Sequence, residues 1–173
     1  MKKHTKSIGV ALAFLLTLFA TGCGGSAIHT INLSAGYSMK PDTKIEVGSV
    51  VNQTGKQLDI DVGKMLTYAL TKRLQEEHLL AVLSDSRKLV IESKIVEYEK
   101  GNAFKRWLSP GWGSTVLAIR CDLKEGDVIV GTAAARRTVD AGGGYTIGAW
   151  KTVFGSIAKD LVKDLKKQMP NKT

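Results

Sequence analysis

The chain has 173 residues and a formal net charge of +9, with two cysteines and three histidines. That length is enough for one domain with a real core. It offers no His-x-x-x-His pattern, and with so few histidines a metal centre of that kind is not expected, nor any other cofactor.

Residues 1–7 carry Lys2, Lys3 and Lys6 and no acid. Residues 8–20 are apolar, with Gly9 and Thr17 as the only breaks. This is the charge pattern and length of a signal peptide. A spanning helix needs about 20 apolar residues, and this run ends instead in Thr21, Gly22, Cys23, Gly24 and Gly25. Ala20, Thr21 and Gly22 before Cys23 resemble the bacterial lipobox, with Ala20 standing where Leu is usual. The resemblance implies cleavage before Cys23 and a diacylglycerol on its sulfur. Several acyl chains are what make such anchoring stable, at about 0.8 kcal/mol per buried methylene. The expected partner of Cys23 is therefore the lipid bilayer. Gly24 and Gly25 lack the aspartate that retains enteric lipoproteins in the inner membrane, so the resemblance implies an outer-membrane address facing the periplasm.

Residues 1–22 are read as signal peptide, 23–43 as lipidated terminus and flexible tether, 44–169 as one α/β domain and 170–173 as a tail. Loss of the three signal lysines takes the net charge from +9 to +6. An exported, tethered protein rarely meets nucleic acid, so none is expected. A basic surface suits anionic headgroups or acidic envelope polymers, although a moderate positive charge also simply keeps a protein soluble. If Cys23 is lipidated, Cys121 is left alone and no intramolecular disulfide can form.

Within the tether, Ile28 to Leu33 could pair as a short edge strand. Residues 44–51 alternate as a first strand, followed by a turn at 52–56. Asp59 or Asp61 can cap a helix over 61–77, in which Ile60, Val62, Leu66, Ala69, Leu70 and Leu74 recur at helical spacing. His78 lies at its end, where a cation suits the dipole. A short strand over 79–84 and a long one over 88–100 follow, with a bulge possible around Ser93. Residues 115–124 place Leu117, Ile119, Cys121 and Leu123 on one face at period two, so Cys121 reads as a small buried hydrophobe. A tight turn at Glu125, Gly126 and Asp127 returns the chain through 128–139 as an antiparallel hairpin. Three glycines at 142–144 lack the lysine that a phosphate-binding loop needs. Thr146 can cap the last helix, whose stripe is Ile147, Trp150, Phe154, Ile157, Leu161 and Leu165, ending before Pro170. Asp160 and Asp164 pair with lysines three or four residues away, which favours core packing over lying on a membrane.

The connection over residues 101–113 is long for a hairpin, which usually needs two to five residues. Phe104, Lys105, Arg106, Trp107 and Trp112 stand there together, aromatics beside cations, as interface anchors do. Phe104, Trp107 and Leu108 could equally fold down to plug the core, and one loop could do both. The run Gly101-Asn102-Ala103-Phe104-Lys105-Arg106-Trp107-Leu108, then Pro110, Gly111 and Gly113, resembles a family of small bacterial lipoproteins known only as a domain of unknown function. The likeness runs from Lys44 to Met169 and brings no activity with it. The element order also looks like small envelope domains that build assemblies in secretion and transport lipoproteins, a likeness of topology alone.

The expected fold is a two-layer α/β sandwich, with a mixed, mostly antiparallel sheet of four or five strands carrying both amphipathic helices on one face. The expected function is a membrane-anchored, non-catalytic binding or assembly module. Its partner would be an envelope protein or an anionic polymer, met through the 101–113 loop. The alternative is a hydrolase or modifying enzyme acting on an envelope polymer. That reading needs a nucleophile and base or convergent carboxylates, and only Asp122 and Asp140, flanking the hairpin, offer themselves.

Overall fold

The computed structural model describes residues 25–58, 60–82, 88–109, 112–140 and 148–170. Among the described residues, five strands and three helices follow in the order β1 (Gly25–Leu33), β2 (Lys44–Asn52), α1 (Val62–Glu76), β3 (Lys88–Glu99), α2 (Ala103–Leu108), β4 (Thr115–Glu125), β5 (Val128–Val139) and α3 (Ala149–Lys167). The strands form one sheet in the order β1-β5-β4-β3-β2. Only β2 and β3 run parallel, joined through α1. The other neighbours are antiparallel. This is the expected α/β sandwich.

Period-two alternation decides which side chains meet the helices. Leu89, Ile91 and Ile95 of β3, Leu117, Ile119, Cys121 and Leu123 of β4, and Ala133 and Ala135 of β5 are all buried. Val62, Leu66, Leu70 and Leu74 of α1 recur every four residues along one stripe. From α3 come Val153, Phe154, Ile157, Leu161 and Leu165, with Ala158 and Val162 beside them. Small alanines on β5 let α3 approach closely. The two helices run side by side in one direction. Lys166 near the end of α3 donates to Glu77 at the end of α1 over 2.7 Å.

Helix ends follow from local chemistry. Asp61 caps α1, its carboxylate accepting from the Lys64 N–H at 2.9 Å. At the other end His78 takes φ 58°, and the Leu79 and His78 N–H groups return to the carbonyls of Leu74 and Gln75. That is a Schellman closure with histidine in the place usually given to glycine. Ahead of α3, Gly148 is the N-cap and has no side chain to bond. Thr146, Ile147 and the triple glycine lie outside the described residues, as do Asp59 and residues 83–87.

Two expectations change. Residues 25–33, assigned to the tether with a short edge strand, form a nine-residue strand paired to β5. Backbone bonds and the contact of His29 with Asp164 of α3 hold it, and Met39 and Thr43 beyond it are buried. The strand expected over 79–84 is, within the described residues, a single bridge from Leu80 to Ile45. The ladder of β3 with β2 shifts between Val47/Ile91 and Val50/Ser93, as expected around Ser93, and its ladder with β4 shifts again between Ile95 and Glu97. Ser93 keeps to the buried face, where its hydroxyl meets the Cys121 sulfur at 3.3 Å.

Candidate functional site: the loop between β3 and β4

The loop is a built structure. Asn102 caps α2, its side-chain oxygen accepting from the Phe104 and Lys105 N–H groups at 2.9 and 3.1 Å. The Asn102 N–H donates to the Gly113 carbonyl at 2.8 Å and closes the loop. Gly113 has φ 75°, and a Cβ there would stand 2.7 Å from Lys105 Cβ and 2.9 Å from the Asn102 carbonyl. Only glycine fits that crossing. Below it, the Thr115 hydroxyl donates to the Lys100 carbonyl at 2.8 Å.

Held this way, Phe104 and Trp112 are 65 % and 54 % exposed, and Leu108 is half exposed. The Lys105 ammonium lies 5.6 Å from the Trp112 ring centroid, a cation–π distance. Phe104 and Leu108 therefore do not plug the core. The side chains of Arg106 and Trp107 lie outside the described residues, and so does Cys23. The third tryptophan, Trp150, stands at the same end of the sheet, with Lys100 and Lys151 over its ring at 5.1 and 5.0 Å.

The sheet face away from the helices is a lattice of charge. Lys94 bonds Asp122 and Lys124 bonds Glu92, at 2.8 and 2.7 Å. Arg136 grips Glu97 with two nitrogens at 2.8 and 3.0 Å. The register explains the pairing. Glu92 lies opposite Asp122 and Lys94 opposite Arg120, so like charges face each other and the diagonals relieve them. Ala118 sits between Glu97 and Arg136 and is small enough for them to join across it. A signal existed: charges at every second position of β3 and β4. Its partners were unreadable before the register was known.

No reactive centre assembles around the residues considered for one. Asp122 lies opposite Thr132 and bonds Lys94, whereas Asp140 follows Val139 at the other end of the strand pair. Burial pushes the Cys121 thiol up to about 11, so at neutral pH it is a protonated core side chain. Among the described residues no group of three or more potential metal ligands comes together. No helix among them is long and apolar enough to cross a membrane.

A two-layer α/β sandwich with an aromatic, cationic loop at one end of its sheet is thus the class of protein at hand. The chain belongs to the family described as a domain of unknown function, DUF4410, which matches residues 35–153. Two solved structures are similar in fold. The PelC dodecamer from Paraburkholderia phytofirmans in space group P6 is 17 % identical, with a TM-score of 0.56 over 86 % of this chain and 100 % of that one. A single-residue variant of the same dodecamer in space group C2 is also 17 % identical, with a TM-score of 0.54 over 83 % and 98 %. No curated protein matches the chain.

Proposed function

We propose that this chain is an envelope lipoprotein, held at the outer membrane by an acylated Cys23, that acts as a non-catalytic binding or assembly module through residues 101–113. The observation that carries this is the exposure of Phe104, Leu108 and Trp112 on a loop fixed by its own capping and closing bonds. Large rigid aromatics kept in water and ordered before binding are what an interface anchor requires. The lipobox-like residues at 20–23 supply the anchor, and the mixed charges of the open sheet face suit a polar surrounding. The fold shared with a dodecameric protein supports a role in assembly.

The test has two arms on the mature protein from its own envelope. Intact mass at the amino terminus should show a lipid-modified Cys23. An unmodified cysteine or another start removes the anchor from this reading. Trp112→Ala and Phe104→Ala should leave thermal stability within the small range of surface substitutions, about 0.5 kcal/mol, while a crosslinked partner recovered with the wild-type chain is lost. Equal recovery with both variants would overturn the loop's role.

A further inference from the structure

We infer that the 101–113 loop is a second membrane contact. Phe104, Leu108 and Trp112 enter the headgroup region of the anionic bilayer to which Cys23 is tied. The inference rests on the acylated Cys23 of the proposed function and deepens that reading by naming the loop's partner.

The first support is where the chain enters the sheet. Gly25 lies opposite Val139, and Val139 opposite Thr115, so these three stand in one row at one end of the sheet. The Thr115 hydroxyl reaches the carbonyl of Lys100, from which the loop departs. Cys23 comes two residues before Gly25, and two residues of chain reach no more than about 7 Å. With β1 standing where a tether was expected, the anchor has little slack. A bilayer that holds Cys23 therefore faces the end of the molecule that carries the loop.

The second support is what that end presents. Tryptophan seats its amphipathic ring at headgroup level, and lysine lays its stem along apolar surface while its charge stays in water. Trp112 with the Lys105 ammonium over its ring is such a pair. Phe104 and Leu108 are exposed apolar side chains of the same loop. Its capping and closing bonds hold all of them in place beforehand, so little is left to order on binding. Trp150, under Lys100 and Lys151, stands at the same end. Lys56 pairs with Glu99 here and Lys64 with Asp61, and Asp140 after β5 is a third acid. Lys100, Lys105 and Lys151 outnumber it, and anionic headgroups attract such a surplus.

The far end of the sheet lacks this combination. Val128 and Ile129 are exposed there at the start of β5. They are adjacent residues of one strand, so they point to opposite faces. Both are aliphatic, and they follow Glu125 and Asp127. That tip would bring carboxylates, and no aromatic ring, to an anionic surface.

The two contacts are also well separated. The acyl chain leads into β1, and the loop leaves from β3, three places along the sheet. At the usual strand spacing that is about 14 Å. Attachment at both points stops the domain from turning about a single anchor. The strands then rise from the membrane, and the hairpin tip at Gly126 and Asp127 stands farthest from it.

The test uses the mature chain with its acyl group, confirmed by intact mass and reconstituted in vesicles of phosphatidylcholine and phosphatidylglycerol in equal parts. Cys121 is buried, so Ser109→Cys on the exposed part of the loop, or Asp127→Cys at the hairpin tip, takes a fluorescent label alone. Nitroxide groups on the lipid acyl chains should quench the label at 109 and leave the label at 127 bright. Phe104→Ala combined with Trp112→Ala should abolish quenching at 109 while the chain stays on the vesicle through its lipid. Quenching at 109 should weaken on phosphatidylcholine alone, where the lysines meet no anionic lipid. Should the label disturb the loop, brominated acyl chains read the unlabelled chain instead, quenching its tryptophan emission less in Trp112→Phe than in wild type. An acylated chain whose label at 109 stays bright overturns the inference alone; the anchor stands, and the loop is left for a protein partner. Quenching at 127 in place of 109, or quenching at 109 that survives the double substitution, also overturns it. A Cys23 without lipid removes the anchor and the inference together.

Discussion

On one face of β4, Leu117, Ile119, Cys121 and Leu123 lie in the core under α1 and α3. On the other, Arg120, Asp122 and Lys124 alternate with them, Asp122 paired with Lys94 and Lys124 with Glu92 of β3. The same four to five register steps thus carry two kinds of chemistry. Apolar burial is roughly proportional to the area removed from water and survives salt. Ion pairs on a wet sheet face mostly exchange one solvation for another. The difference teaches that the stability of this sandwich lies on its helix side. The open face, with its charges paired across β3, β4 and β5, adds little to it.

The sharpest way to break that comparison is a matched pair of truncations at adjacent positions of β4. Ile119 is fully enclosed between the sheet and the helices. Ile119→Ala should lose about 2–5 kcal/mol, the range for emptying such a site. Arg120, the next residue of the same strand, projects from the opposite face, and Arg120→Ala should change stability by no more than about 0.5 kcal/mol. Chemical denaturation of both variants checks this, and similar losses from both would mean that the open face is covered by something that contributes to folding.

A second variant falls between the extremes. Arg137 is a charge on the helix side, opposite Leu117, and it donates to Asp160 of α3 at 2.5 Å. Both side chains are largely shielded from water. Arg137→Ala leaves the Asp160 carboxylate without that partner and should cost about 1.5–3 kcal/mol, the value of a hydrogen bond to a charged group. A loss near zero would place this pair with the surface bridges of the other face.

The helix side was also the part legible in the sequence. The stripe of α3 and the alternation of β4 are set by burial, and burial is what periodicity records. Where burial is weak, the reading faltered. Of β1, Ser26, Ile28, Thr30 and Asn32 face water, so a strand held mainly by backbone pairing to β5 looked like a tether. The helix α2 has six residues, too few for a period to show; Asn102 as a cap and the glycines at 101 and 113 were its signals. The loop was conspicuous through its tryptophans.

The smallest expected effect sharpens the comparison from the open face. Arg136 donates to Glu97 through two nitrogens and holds its carboxyl below the ordinary 4.5. A carboxyl whose folded value is depressed stabilises the fold above its unfolded value, and the contribution is lost as pH falls through the folded one. Both side chains are more than a third exposed, so solvent screening limits the pair to about 0.2–1 kcal/mol. Glu97→Gln should therefore be slightly less stable than wild type at neutral pH, and the gap should close as pH falls through and below the depressed carboxyl's range. High salt should narrow it at neutral pH as well, because exposed pairs are screened. Thermal melts of the two chains across pH and salt provide the measurement. A gap that persisted in acid would belong to packing around Ala118 instead, since the amide keeps the shape of the carboxyl and gives up only its charge.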